Sequence, residues 1–173
     1  MLTPNPFAIG YPGTQSPVLV DICASITTVS MARTKAAAGV QFEHPWLMDN
    51  SGHPTTEPRV LEQTSPRGSL MLLGGTEYGH KGFGLALMVE ALTQGLSGHG
   101  RIDAPNRWGA NVFLQVMDPD AFAGRDHFLT QMDFIGAACR DSTPVAEGGL
   151  VRLPGDQASG NICLLYTSDA ADE

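Results

Sequence analysis

A glycine-rich turn followed by an apolar helix, between Gly74 and Gly98, constrains the fold of this chain more than any other stretch. Glycines let the backbone approach a ligand or another strand closely, because no Cβ stands in the way; they are Gly74, Gly75, Gly79, Gly82 and Gly84. Apolar residues then recur at helical spacing, which predicts a buried helix: Leu85, Met88, Val89, Leu92 and Leu96. Gly98 stands where that helix is expected to end.

His80 and Lys81 follow these glycines at the predicted start of the helix. The free N–H groups and the positive dipole end of a helix N-terminus favour anions. A lysine ammonium and a histidine that can donate hydrogen bonds therefore fit a phosphate or carboxylate. The spacing matches neither the phosphate-binding P-loop nor the GxGxxG dinucleotide pattern. A glycine-rich loop that leads into a core helix, with Lys81 only solvated, is the alternative that the spacing leaves open.

The composition favours an acidic globular domain and argues against several classes of protein. The 173 residues are 42% hydrophobic and 16% charged, which allows a real core. The formal net charge of -8 argues against a nucleic-acid partner. No apolar run approaches the ~18 residues of a membrane span, and the N-terminus lacks the pattern of a signal peptide. Three cysteines without a CxxC pattern lead us to expect a reducing, cytoplasmic setting.

Both ends of the chain resemble interruptions of a longer sequence. The tail from Cys163 to Glu173 resembles a translated sequencing adapter, and the turn Thr3-Pro4-Asn5-Pro6 is typical of the interior of a domain. We therefore expect one partial domain in residues 1–162 and a non-native tail in residues 163–173.

The local patterns predict alternating strands and helices. Short runs of β-forming residues separated by turn residues predict a hairpin of Phe7 to Tyr11 and Val18 to Ile22. Helices are expected over Ile26 to Ala38 and Arg125 to Asp141, and a strand over Ala110 to Met117. The face that should be buried on the last helix is formed by Phe128, Met132, Ile135 and Cys139.

The loop from His44 to Pro58 contains a turn at Asp49 to Gly52 and two prolines that oppose regular structure. His44 and His53 could suggest a metal site. Their spacing matches no ligand motif, and no cysteine or acidic cluster lies beside them, so we predict structural histidines and no metal.

The segment GHKGFGLALMVEALTQGLSG, from Gly79 to Gly98, resembles the HKG(F/Y)G-L-A-L-x-V-E segment of the malate/L-lactate dehydrogenase family. That family also contains ureidoglycolate, sulfolactate and related 2-hydroxyacid dehydrogenases, and cyclic-imine carboxylate reductases. The resemblance extends roughly from Thr3 to Gln157. The elements suggest a three-layer α/β/α domain, and the resemblance implies a mixed sheet that is distinct from the Rossmann fold.

The resemblance also implies a cofactor site. Asp21, Ile22 and Cys23 belong to a segment similar to the family's D-x-A-(T/S)-S motif, and an acid at the carboxyl end of a strand suits ribose hydroxyls. Asp21 or Ser25 could also cap the next helix. Where relatives carry R-G-K or H-G-D, this chain has Val29, Ser30 and Met31, and a methionine cannot relay a proton.

Further residues are implied by the same resemblance. His80 and Lys81 would bind the cofactor, and a segment similar to R-x-P-G-(E/D) would close over it; that segment contains Arg152, Leu153, Pro154 and Gly155. Arg152 could bind a phosphate bidentately or be an ordinary surface charge. Thr3 would contact the substrate, although TPNP could equally be only a turn.

The implied activity is reversible, NAD- or NADP-dependent hydride transfer between a 2-hydroxy acid and its 2-keto acid. The family's proton-donating residues belong to an N-terminal region that this chain does not match, so we assign no catalytic residue and expect the chain alone to be inactive. The resemblance also implies a homodimer of the longer protein. A non-catalytic module that binds phosphates or acids, or a purely structural role of Gly74 to Gly98, are the alternatives.

Overall fold

The structure is a computed structural model, and it describes residues 5–63, 65–103 and 109–157. The chain divides into two compact units. Unit 1 takes the described residues of Met1–Phe7 and Ile22–Leu114, and unit 2 takes those of Ala8–Asp21 and Gln115–Glu173. Thr3 and the tail 163–173 lie outside the described residues. The assignment of residues 1–162 to one catalytic domain stays a prediction.

Unit 1 begins with helix α1, Val29–Ala38, which buries Ala32 and Ala36. The Thr28 hydroxyl accepts a hydrogen bond from the Met31 N–H at 3.1 Å and caps the helix, and Gly39 ends it with φ 68°. The predicted helix is therefore confirmed, with its start three residues later. The cap is Thr28 rather than Asp21 or Ser25, because the helix starts beyond the reach of both side chains.

The core of unit 1 surrounds a three-stranded antiparallel sheet with the order β4-β3-β5. The strands are short: β3 is Leu47–Met48, β4 is Pro54–Thr55 and β5 is Ser69–Leu70. The buried cluster consists of Ala32, Phe42, Leu47, Val60 and Leu70, with Trp46 and Leu61 packed against it.

Residues 44–58 were predicted to lack regular structure, and this prediction is wrong in part because they contain the two short strands β3 and β4. Its turn is as predicted: the Asp49 carboxylate accepts hydrogen bonds from the N–H groups of Ser51 and His53 at 2.8 and 2.9 Å. This turn sets the register Met48↔Pro54. Pro54 is tolerated because it lies in an outer strand of the sheet. A 3₁₀ helix, Pro58–Leu61, follows.

The glycine-rich region forms helix α2, Gly75–Tyr78, and helix α3, His80–Glu90. Helix α3 continues through a π-helical turn, Ala91–Gly95, and Gly98 ends the helical region with φ 69°, as predicted. The predicted buried face is only partly correct, since Leu85, Val89 and Leu92 are half-buried. Gly82 and Ala86 are buried, whereas Met88 and Leu96 are 41% and 69% exposed. The close contacts of this helix select small residues, so the large apolar ones lie elsewhere.

Unit 2 contains most of the hairpin of β1, Phe7–Tyr11, and β2, Val18–Ile22, whose predicted bounds are confirmed. Helix α4, Arg125–Arg140, is also confirmed to within one residue. Its predicted buried face is only partly correct. Ile135 and Cys139 are exposed, and Gly136 is buried because the Leu153 side chain lies against it.

Residues 110–117 form no strand in the part of the chain that the structure describes, so this prediction is wrong there. The side chains of Val112, Leu114 and Val116 are 84%, 84% and 87% exposed. Apolar and polar residues do alternate here, but a strand also needs hydrogen bonds to a neighbouring strand. These residues have no such neighbour among the described ones. No described helix is long and apolar enough to cross a membrane.

Candidate cofactor site

The residues predicted to bind a cofactor fall into two groups, one in each unit. Ile22, Cys23, His80 and Lys81 belong to unit 1. Asp21 and the segment of residues 152–155 belong to unit 2. The local geometry of each group can therefore be described separately.

In unit 1, backbone hydrogen bonds join the segment after β2 to the start of α3. The Leu73 N–H donates to the Ala24 carbonyl at 2.9 Å, and the Gly82 N–H donates to the Leu73 carbonyl at 3.0 Å. Ser25 and Leu72 form an antiparallel bridge. The predicted cofactor residues Cys23 and Lys81 each precede a residue of this network. We call the network of Ala24, Ser25, Leu72, Leu73 and Gly82 the backbone junction.

Gly82 is the position where the backbone junction is tightest. A Cβ there would lie 2.5 Å from the Leu73 nitrogen and 2.7 Å from the Ala24 oxygen. Both are backbone atoms that cannot rotate away. Gly82 is thus required because the chain packs against itself there. From the sequence, we had attributed this glycine to the close approach of a ligand.

Gly74 also has a specific conformational role. Its φ of 99° is unfavourable for other residues, and a Cβ would lie 2.1 Å from the Tyr78 oxygen. This turn allows α2 to begin at the next residue, Gly75. Gly79 is helical, with φ -56°, so α3 follows α2 almost directly. We expected the N–H groups at the start of α3 to be free to bind an anion. One of them is not, because the Gly82 N–H donates to the Leu73 carbonyl.

His80 and Lys81 are exposed at the beginning of α3. The Lys81 ammonium lies 5.2 Å from the centre of the Tyr78 ring, and the His80 ring lies 6.4 Å from it. Lys81 forms no ion pair with any acid among the described residues. The first turn of α3 contains no acidic residue. An exposed ammonium that is held over an aromatic ring in this way can receive an anion.

In unit 2, the segment of residues 152–155 is bound to strand β2. The Leu19 N–H donates to the Pro154 carbonyl at 3.1 Å, two residues before Asp21. Gly155 has φ 96°, and a Cβ there would lie 3.1 Å from the Leu19 nitrogen. Asp21 and this segment, which the resemblance assigned to one cofactor site, are therefore held close along one strand.

Asp156 stabilises this segment. Its carboxylate accepts hydrogen bonds from the Leu153 N–H at 2.8 Å and from the Arg140 guanidinium at 3.0 Å. Arg140 holds the pKa of Asp156 below its usual value, and the Leu153 N–H acts in the same direction. Arg152 is exposed, and its charge also helps to lower the pKa of Asp156, but it forms no ion pair within 4 Å with any described residue. Its guanidinium can therefore also receive an anion.

A polar cluster at the end of α3 was not predicted from the sequence. The Glu90 carboxylate accepts hydrogen bonds from the Asn5 amide at 2.9 Å and from the Arg101 Nε at 3.0 Å. The Asn5 amide also donates to the Ala86 carbonyl at 3.0 Å. The hydrogen bond from Arg101 is the main cause that holds the pKa of Glu90 below its usual value, and the hydrogen bond from Asn5 acts in the same direction. An acid within an apolar helix was the available signal. The cluster joins Asn5, two residues before β1, to α3.

The histidines of the loop lie apart from any metal-binding arrangement. Residues 5–63, 65–103 and 109–157 contain no group of three or more His, Cys, Asp or Glu that could hold a metal ion. The His44 ring lies 5.9 Å from the Trp46 ring, and the His53 Nδ1 lies 3.8 Å from the Asp49 carboxylate.

Comparison with known proteins identifies the family. A protein-family model described as malate/L-lactate dehydrogenase matches residues 1–162. The L-lactate dehydrogenase of Cupriavidus necator is 30% identical over 166 residues, which are 92% of this chain and 46% of that protein. The L-sulfolactate dehydrogenase of Methanothermobacter thermautotrophicus is 29% identical over 170 residues, which are 94% of this chain and 46% of that protein.

Comparison with solved structures shows a related fold. The crystal structure of malate dehydrogenase from Entamoeba histolytica matches with a TM-score of 0.71 and 20% identity over 87% of this chain and 45% of that one, a likeness that shows the fold. The chain belongs to the malate/L-lactate dehydrogenase family. The predicted α/β fold of this type is confirmed. The chain spans about half the length of the curated relatives that it matches.

Proposed function

We propose that this chain is part of an NAD(P)-dependent oxidoreductase that interconverts a 2-hydroxy acid and its 2-keto acid. The observation that carries the proposal is the backbone junction, because it brings the segments of Cys23 and Lys81 together in unit 1. The comparisons support the choice of substrate class, since lactate and sulfolactate, which name two of the relatives, are both 2-hydroxy acids. They give no support to a non-catalytic binding module.

The side chains on these segments fit a nicotinamide dinucleotide. Lys81 and Arg152 are exposed cations without ion-pair partners among the described residues, and such groups suit a pyrophosphate. Asp21 is an exposed carboxylate close to the end of β2, where it can accept hydrogen bonds from ribose hydroxyls. We propose that these residues, with Ile22, Cys23, His80 and residues 153–155, hold NAD or NADP.

When bound, that cofactor would supply the hydride. The role of this chain is to bind and orient it. Thr3 is proposed to contact the substrate acid. We assign the proton transfer to residues outside this chain, and we place the longer protein in the cytoplasm as a homodimer.

The test of the cofactor role uses two lysines that each lie over an aromatic ring. The Lys81 ammonium lies 5.2 Å from the Tyr78 ring centre, and the Lys35 ammonium lies 5.3 Å from that of Phe42. In the full-length protein, Lys81→Ala should raise the Kd for NADH or NADPH about tenfold to a hundredfold, as expected for a lost charge-assisted hydrogen bond. Lys35→Ala also removes one positive charge and a lysine–ring contact of similar length, and it should leave the Kd unchanged.

Fluorescence titration of the reduced cofactor measures both constants. If Lys81→Ala binds the cofactor as tightly as the wild type, the proposed cofactor role of α3 is wrong. The 173-residue chain itself should not oxidise reduced cofactor with pyruvate or oxaloacetate, which an absorbance assay checks. Turnover at a rate typical of full-length relatives would contradict our assignment of the proton transfer to residues outside this chain.

A further inference from the structure

Unit 1 contains a cavity of about 270 Å³ that no part of the proposed cofactor site uses. Seven residues line it: we call the apolar ones its floor and the charged ones its rim. The floor is Val29, Pro58, Leu61 and Leu70, and the rim is Arg33, Glu62 and Arg67. We call it the arginine cavity. Its volume is close to the lower end of the range for small-molecule sites.

The rim of the arginine cavity carries an excess of positive charge. Its lining contains two arginines, Arg33 and Arg67, and one acid, Glu62. Neither Arg33 nor Arg67 forms an ion pair with an acid in the described part of the chain. Arg67 uses its Nε for a long hydrogen bond of 3.5 Å to the Gln63 carbonyl. This local excess stands out because the whole chain has a formal net charge of -8.

Helix α1 adds to the positive potential. Val29, on the floor of the cavity, is the first residue of this ten-residue helix, and Arg33 lies one turn further along the same face. The first turn of α1 contains no acidic residue to offset the positive end of its dipole. The helix end and both arginines therefore favour an anion in the cavity.

The floor of the cavity selects a ligand with an apolar part. Leu70 is buried, Leu61 is half-buried, and Val29 is 39% exposed. An inorganic anion would leave this apolar surface in contact with water. A short hydrocarbon chain would cover it and gain about 0.8 kcal/mol for each CH₂ group removed from water, which corresponds to roughly a fourfold gain in affinity.

We propose that the arginine cavity binds a small amphipathic oxyanion, with its carboxylate or phosphate group between Arg33 and Arg67 and its hydrocarbon part on the apolar floor. Guanidinium groups bind such head groups bidentately. This inference does not depend on the proposed dehydrogenase activity, because none of the residues involved belongs to the proposed cofactor site.

Calorimetric titration of the 173-residue chain tests the proposal with butanoate, hexanoate, hexyl phosphate and inorganic phosphate. Hexanoate should bind more tightly than butanoate, and hexyl phosphate more tightly than inorganic phosphate. Arg33→Gln and Arg67→Gln should each weaken binding about tenfold, the loss expected for a charge-assisted contact. Glu62→Gln should strengthen it, because it removes the only acid on the rim.

Arg59→Gln is the matched control. Arg59 is exposed in the same unit and donates a hydrogen bond to the Ala36 carbonyl, but it does not line the cavity. Binding should be unchanged in this variant, and circular dichroism melts establish that all variants are folded. The proposal is overturned by an absence of saturable binding, by equal losses in the Arg59 and Arg33 variants, or by affinities that do not depend on the hydrocarbon part.

Discussion

Replacement of Gly82 by alanine should destabilise unit 1, although alanine is the better helix former. The new Cβ would lie 2.5 Å from the Leu73 nitrogen and 2.7 Å from the Ala24 oxygen, so the backbones would have to separate by about 1 Å to restore ordinary contact. Overpacking of this kind costs about 1–3 kcal/mol. The hydrogen bond from the Gly82 N–H to the Leu73 carbonyl would be lost as well, at about 1 kcal/mol.

The helix propensity of alanine offsets about 1 kcal/mol of this cost. The free energy of unfolding should therefore fall by about 1–3 kcal/mol, which denaturation in urea measures. Gly84→Ala provides the control, because Gly84 is exposed in the same helix and a Cβ there meets nothing within 4 Å. That variant should gain up to about 1 kcal/mol. If both variants change stability in the same direction, the close contact at Gly82 does not exist in solution.

Two further predictions concern the pH dependence and the helix cap of unit 1. Because Arg101 lowers the pKa of Glu90 in the folded state, the charged carboxylate stabilises the fold above its unfolded pKa, and this stability is lost as the pH falls through the folded pKa. Urea melts between about pH 6 and pH 3 should therefore show a smaller loss of stability for Glu90→Gln than for the wild type; equal losses would contradict the ion pair. Thr28→Ala should lose about 1 kcal/mol of stability by removal of the α1 cap. Thr34→Ala, at an exposed position of the same helix, should change stability by less than about 0.5 kcal/mol, and equal effects would show that Thr28 caps nothing.

The features that the sequence predicts correctly are those with local causes. The hairpin follows from β-forming runs on both sides of turn residues, and Gly39 and Gly98 end helical segments because glycine adopts positive φ readily. The turn at Asp49 follows from an acid whose carboxylate accepts nearby backbone N–H groups. Each of these signals lies within a few residues of the structure that it specifies.

The features that the sequence does not predict depend on contacts between distant residues. Strands of two residues, such as β3 and β5, are too short to show an alternating pattern. The buried face of α3 follows Gly82 and Ala86, because residues 24 and 73 approach it too closely for large side chains. Asn5 and Glu90 are separated by 85 positions, and no local pattern indicates that they meet.

The exposed segment of residues 110–117 has a consequence for how this chain behaves at high concentration. Val112, Leu114 and Val116 are exposed apolar residues, and their backbone pairs with no strand among the described residues. Such a backbone is a template for intermolecular β-pairing, and low local charge favours aggregation. A lysine at position 114 would act as a gatekeeper there, and it should raise the concentration at which the chain precipitates.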